Sequence, residues 1–306
     1  MKETAFFRQA ELLLDILPLV AIEPHFALKG GTAINFFIRD LPRLSVDIDL
    51  TYLPIEDRES TLKNIDSALR KLSARIKKIM PSTKIFPNYL KQTEFLKGLI
   101  IKRADATVKI EPNLIMRGSV FPSEKRMLVR KAQNLFEKAV EAQLLSFDDL
   151  YAGKICAALD RQHPRDLIDV KLLLENEGFT ENIRQAFIVY LISHNRPMVE
   201  LLNPNRLNIR HLFETEFSGM TTIPITLEEL LQTRNLLINE IKNSLTINEK
   251  KFLFSFKRGQ AEWERLPFKH IQDLPAVQWK LQNIRNMNAS KRRKALQKLA
   301  EYLALD

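Results

Sequence analysis

The stretch FALKGGTAINFFIRDLPRLSVDIDLTYL, residues 26–53, decides the fold. The chain has eight glycines in 306 residues, and two of them stand side by side at Gly30 and Gly31. Before them, HFALK reads as a short strand broken by glycine; after them, TAINFFI reads as a helix that opens at once. In SVDIDLTYL the apolar Val46, Ile48 and Leu50 alternate with Asp47, Asp49 and Thr51. That is the period of a strand with two unlike faces, so both carboxylates project from one face.

This arrangement has a chemical use. Adjacent glycines let the backbone turn tightly and approach a phosphate, while N–H groups at the start of the following helix point toward it. Carboxylates sharing a strand face can bridge Mg²⁺, which seeks hard oxygen ligands. Two such ions about 4 Å apart would stabilise the attacking and leaving oxygens of a phosphoryl displacement. The acid pair alone is unspecific, since 37 acids in 306 residues give about four such pairs by chance. Singly, the glycines could be only a turn and the aspartates only the wet side of a sheet. Their combination, with a third acid at Glu111, is what points to a site.

Outward from this stretch, residues 4–17 place Phe6, Ala10, Leu13, Leu14 and Leu17 on one helical face, with Thr4 as cap. Residues 60–79 carry Leu62, Ile65, Leu69, Leu72, Ile76 and Ile79 at helical spacing, with Lys63, Arg70, Lys71, Arg75, Lys77 and Lys78 largely off that stripe. FLKGLIIKR and TVKIEPNLI flank ADA as a β-hairpin, and Pro112 closes the regular pairing of its second strand. Glu111 falls on the face opposite Val108 and Ile110. Beyond RKAQNLF the pattern turns helical: FDDLYAGKICAALDRQ runs to His163, and PRDLIDVKLLLENEG restarts at Pro164 and ends at Gly178. Further helices are expected near 180–194, 226–244 and 248–256. A last one follows Ser290 with Ala295, Leu296, Leu299 and Leu303 inward, and its first turn is Lys291, Arg292, Arg293 and Lys294. Cations there oppose the helix dipole, which suits an anionic partner or a solvated face.

The length suits two domains, and 45% hydrophobic residues are enough to build their cores. The balance of 47 Lys+Arg against 37 Asp+Glu gives a net charge of +10. Such a field attracts polyanions, nucleic acid first and an anionic membrane second, with plain solubility charge as the alternative. Cys156 is the one cysteine, which excludes an internal disulfide and fits a reducing cytosol. No stretch approaches the roughly 20 apolar residues of a membrane span. Glu3, Glu11 and Asp15 among the N-terminal apolar positions are unlike a signal peptide. A cytoplasmic protein with no membrane partner is expected. The chain lacks a G-x-x-x-x-G-K-[ST] loop, a G-x-G-x-x-G turn and an H-E-x-x-H motif, and one cysteine cannot make a zinc cluster.

A glycine pair, a helix and then Asp-x-Asp on a strand resemble the nucleotidyltransferase fold of the DNA polymerase β type. More narrowly, LKGGTA, RLSVDIDL, VKIE, GKICAALDR and RDLIDV together resemble the AbiEii/AbiGii abortive-infection toxins, bacterial nucleotidyltransferases of toxin–antitoxin pairs. The match is strong over residues 25–175 and rests on helical character beyond. It implies an α+β fold: a catalytic domain over 1–145, with a small mixed sheet flanked by helices, and a mostly helical domain over 146–306 that contributes Lys154 and Asp166. By the same resemblance Gly30, Gly31 and Thr32 hold nucleotide phosphates, Asp47 and Asp49 bind metal, and Lys154 contacts the triphosphate. Asp166 is the further acid needed for activity, and Glu111 matches the third carboxylate of the wider superfamily. Arg43 and Ser45 brace the aspartate strand, with Arg161, Arg165 and Asp169 in support. Read from the residues alone, Lys154, Ala157, Ala158 and Arg161 share a helix face and could aim two cations at one anion. Asp166 lies in a first helical turn, where an acid is favourable without any catalysis.

The expected function is Mg²⁺-dependent transfer of a nucleoside monophosphate from an NTP to an acceptor, with a cognate antitoxin as partner. Inhibited growth follows if the acceptor is tRNA, and the basic balance favours RNA. A protein or small-molecule acceptor, or a non-catalytic nucleotide- or RNA-binding module, are the alternatives. Keeping both Asp47 and Asp49 argues against the last, because unused buried carboxylates are costly.

Overall fold

Alternating apolar residues in SVDIDLTYL need one buried face, and a seven-stranded mixed sheet supplies it. The computed structural model describes residues 4–305. Glu3 and the outer ends of the two expected domains, residues 1–3 and Asp306, lie outside the described residues. The chain divides into two units. One holds the described residues up to Leu150 with Ser218–Pro224; the other holds Tyr151–Phe217 and the chain from Ile225 onward.

In the first unit the strands are β1 (Phe26–Lys29), β2 (Asp47–Tyr52), β3 (Lys84–Tyr89), β4 (Leu96–Arg103), β5 (Ala106–Asn113), β6 (Glu124–Met127) and β7 (Glu141–Leu144). Their order is β3-β4-β5-β2-β1-β7-β6. β2 runs antiparallel to β1 and parallel to β5, while β1 and β7 are parallel. Register carries the apolar rows across strands: Ile48 faces Ile110, which faces Leu99, and Leu50 faces Leu28, which faces Leu144. All six are buried. The alternation along β2 stops at Thr51, which is 3% exposed. The β4–β5 hairpin forms as expected. Pro112 ends pairing on the β4 side, where the last partners are Leu99 and Ile110, yet on the β2 side pairing continues through Leu50–Pro112 and Thr51–Asn113.

Helix α1 (Ala5–Ala21) packs on β5, β7 and β2. Thr4 caps it as expected, its side chain accepting from the Phe7 N–H. The expected end at Leu17 is exceeded, since the helix passes Pro18 and buries Leu19 and Val20. That burial offsets the hydrogen bond a mid-helix proline removes. The glycine pair opens α2 (Gly30–Ala33), which widens into a π-helical turn over Ile34–Ile38. Helix α3 (Arg58–Ile79) packs on β4 and α1, burying Ile65, Leu69, Leu72 and Ile76. Its capping Asp57 accepts from the N–H groups of Glu59 and Ser60. Helix α4 (Arg130–Phe136) lies between β6 and β7.

Helix α5 (Phe147–Arg161) crosses from one unit into the other in sequence. The second unit adds α6 (Pro164–Asn176), α7 (Glu181–Ser193), α8 (Met198–Leu202), α9 (Arg210–Leu212), α10 (Leu227–Ser244), α11 (Ile247–Arg258), α12 (Pro275–Arg285) and α13 (Ala289–Leu303). No strand falls in it among the described residues. Helices α10 and α11 each start with a capping box, Thr226 with Glu229 and Thr246 with Glu249. Cys156 is buried, and burial pushes its thiol pKa up, as expected of a core cysteine. On α13 Leu299 and Leu303 are buried, whereas Ala295 and Leu296 are only half-buried. No helix among the described residues is long and apolar enough to cross a membrane.

Candidate active site

The polar face of the sheet is built by the same register that builds the apolar one. Asp49 pairs across β1 with Lys29 and across β5 with Glu111, and Asp47 pairs with Lys109. Paired residues point to the same side. Two aspartates on one strand are thus joined by a glutamate and flanked by two lysines. Asp47 and Asp49 are half-buried, while Lys109 and Glu111 are exposed.

The glycines are explained by what crowds them. Gly30 has φ +71°, and a Cβ there would lie 2.5 Å from Asp49 Oδ2. A Cβ on Gly31 would lie 2.6 Å from an Arg43 guanidinium nitrogen and 3.0 Å from Ser45 Oγ. The turn therefore admits the Asp49 carboxylate on one side and the Arg43 guanidinium on the other. Gly98 does the same on β4, where a Cβ would meet the Ile110 carbonyl oxygen at 2.6 Å and Glu111 Cγ at 3.6 Å. Lys29, Lys109 and Gly98 were not singled out by sequence reasoning. VKIE and LKGG contain the lysines, but only the strand register shows which acids they face.

Thr32, expected to hold phosphate, is 1% exposed. Its Oγ1 donates to the Asp47 carbonyl oxygen at 2.6 Å and lies 3.0 Å from Ser45 Oγ. Here it fastens the helix start to the aspartate strand. Arg43 is 2% exposed and donates from Nη1 to the Leu44 carbonyl oxygen at 3.0 Å. The segment on which it lies is held by Ser218–Pro224, through the Leu44 N–H to Met220 O and the Thr222 N–H to Pro42 O.

The second-unit candidates cluster among themselves. Lys154 Nζ lies 2.9 Å from Asp166 Oδ1 and 3.0 Å from Asp169 Oδ2. Arg161 donates from Nε to Asp166 Oδ2 at 2.5 Å and from Nη2 to Oδ1 at 3.0 Å. Asp166 and Asp169 are fully buried and Lys154 is 6% exposed, while the Arg161 side chain is 58% exposed. Burial pushes the Asp166 pKa up, but the charges of Lys154 and Arg161 and their hydrogen bonds outweigh it and hold it well below the usual carboxylate range. Arg165 joins none of these three ion pairs; its backbone N–H donates to His163 Nδ1, which caps α6.

A family description, nucleotidyl transferase AbiEii toxin of type IV toxin–antitoxin systems, matches residues 11–283. The chain belongs to the AbiEii family. Among solved structures it is similar to MenT4, a nucleotidyltransferase toxin from Mycobacterium tuberculosis H37Rv, with a TM-score of 0.59 and 13% identity over 97% of this chain and 93% of that one. No curated protein matches. The AbiEii chain is a nucleotidyltransferase toxin, which implies an NTP substrate and an antitoxin partner.

Among the described residues, no three His, Cys, Asp or Glu side chains converge closely enough to hold a metal ion. Mg²⁺ does not need three: it is satisfied by one or two carboxylates, with water and substrate phosphates completing its shell. Asp47 and Asp49, hard oxygen donors on one strand face, fit that demand. An alanine at Gly30 is strained by its positive φ, by about 1–2 kcal/mol, and displaces the Asp49 carboxylate. Gly30→Ala is expected to lower nucleotidyl transfer about tenfold or more, and to lower the unfolding free energy measured in urea by that strain. Unchanged turnover in a folded variant would remove Gly30 from the site.

Proposed function

We propose that this AbiEii toxin transfers a nucleoside monophosphate from an NTP to a hydroxyl of an RNA acceptor, with tRNA the expected class, using Mg²⁺ held by Asp47 and Asp49. The observation that carries it is the contact between Gly30 and the Asp49 carboxylate, which ties a phosphate-approachable turn to a metal-binding strand. The acceptor oxygen forms its bond to the α-phosphorus as the bond to pyrophosphate breaks, and the hydroxyl proton passes to a carboxylate of the same sheet face. Bound Mg²⁺ supplies neutralising charge for the phosphates and polarises the oxygens.

The chain's own groups do the rest. Gly30 and Gly31 leave the backbone N–H groups open to phosphate. Lys29 and Lys109 place positive charge beside the acids, and Glu111 is the third carboxylate in register. The ion pairs of Asp166 support a positioning role, in which it orients Lys154 and Arg161, better than a role as base. A carboxylate held so far below its ordinary pKa accepts a proton poorly.

RNA is favoured as acceptor by the net charge of +10 and by the basic back of α3, where Lys63, Arg70, Lys71, Lys77 and Lys78 are exposed. The test incubates the protein with each α-labelled NTP and total RNA, with Mg²⁺ or with EDTA. Label is expected in RNA and only with Mg²⁺. Acceptor affinity is expected to fall about tenfold or more between about 50 and about 200 mM salt. Label on protein or on a small molecule, or transfer indifferent to salt, would overturn the RNA reading.

A further inference from the structure

We propose that the outer face of α12 is a stacking site for an unpaired nucleobase of the acceptor RNA, with Trp279 as its platform. This rests on the RNA-acceptor reading. The two tryptophans of the chain have opposite settings. Trp263 packs against Phe252 and Phe256 with ring centroids 5.7 and 6.1 Å apart. Trp279 is 61% exposed and packs on no ring among the described residues. Its helix is anchored by the other face, through Ala276, Val277, Leu281 and Ile284, so folding does not need the indole where it is.

What surrounds the indole selects the ligand. Trp279 lines a shallow hollow with Pro275, Gln278, Gln282, Arg285 and Asn286. Two of these are already held in place: Gln278 Nε2 donates to the Gln272 carbonyl oxygen, and Arg285 Nε donates to the Gly259 carbonyl oxygen at 3.1 Å. The amides offer both donors and acceptors to a base edge, and the indole offers a face for its ring. Residues 274–300 carry seven Lys and Arg and no Asp or Glu. Lys280 is turned inward onto the carbonyl oxygens of His194, Asn195 and Arg196. The others include Lys291, Arg292, Arg293 and Lys294 in the first turns of α13, where charge complementary to a phosphate chain is concentrated.

A protein partner fits less well. Interface cores gather several large apolar side chains, and from residue 248 to 305 Trp279 is the one exposed large hydrophobic among the described residues. A duplex fits less well, since bases within a helix stack on one another and leave no face for the indole.

The experiment titrates the full chain, without NTP or Mg²⁺, with a single-stranded RNA of about 12 nucleotides and with a duplex of the same length, following tryptophan fluorescence. The single strand is expected to quench the wild type. Trp279→Ala should lose that quench and bind about tenfold or more weakly, while Trp279→Phe should keep most of the affinity. Because the residue is exposed, both variants should melt as the wild type does. Equal affinity of wild type and Trp279→Ala, or equal quenching by the duplex, would overturn the proposal. Quenching by single strands without labelled RNA in the transfer assay would sink the acceptor reading and leave the stacking site supported. Labelled RNA whose KM is unmoved by Trp279→Ala would do the reverse.

Discussion

Asp49→Asn is expected to cut nucleotidyl transfer by about a thousandfold and leave the fold intact. The side chain keeps its shape against Gly30, so the glycine contact survives and only the charge is lost. A metal ion in phosphoryl transfer contributes several kcal/mol of transition-state stabilisation, and each 1.36 kcal/mol is tenfold in rate. Losing one of its two proposed carboxylate anchors forfeits about 4 kcal/mol of this, about a thousandfold. Asp49 is half-buried, and a near-isosteric change at such a position shifts stability by about 0.5 kcal/mol or less. The check pairs label transfer from α-labelled NTP with a urea melt of the same preparation. Equal labelling by wild type and variant would remove Asp49 from the metal site. Lost labelling with a collapsed melt would assign the loss to folding, and Asp47→Asn then repeats the comparison on the neighbouring carboxylate.

How far residues 26–53 could be read follows from local physics. Period-two alternation reports faces, so the sharing of one face by Asp47 and Asp49 and the burial of Ile48 and Leu50 were legible. The glycines were legible as a turn; their reason was not. A Cβ at Gly31 is excluded by Arg43 and Ser45, residues that arrive from twelve or more positions away once the chain folds back. Register is equally nonlocal, which hid the pairing of Lys29 with Asp49 and of Lys109 with Asp47. Three strands escaped notice for different reasons. β3 contains Pro87 and sits at an edge of the sheet, where a missing N–H is tolerated. β6 and β7 are four residues each, too short for alternation to show. In α5 and α6 the residues Lys154, Arg161, Asp166 and Asp169 were legible as candidates. Their closure into one ion-pair cluster was not, because nothing in a sequence says that both oxygens of a carboxylate are taken.

That closure leads to the second large effect, on stability. Lys154→Met is expected to destabilise the protein by about 3–5 kcal/mol at neutral pH, because it removes one partner from a buried pair and leaves charge uncompensated. Asp166 keeps Arg161, whose side chain is 58% exposed, whereas both carboxylates that Lys154 touches are fully buried. The pH dependence separates this from a simple packing loss. In the wild type the Asp166 pKa is lowered on folding, from an ordinary value of 3.8. It therefore contributes stability that is present above pH 3.8 and is lost as pH falls through the folded pKa. Without Lys154 burial pushes the same carboxyl up with less to oppose it, and protonation relieves the variant. The difference between wild type and variant should accordingly be largest near pH 7 and shrink as pH falls toward 4, the ordinary carboxylate range. Urea unfolding at a series of pH values measures it. A difference that is constant with pH would mean the lysine acts through its packed methylenes. A stable variant that has lost only nucleotide affinity would mean that Lys154 serves the triphosphate and is not needed by the two aspartates.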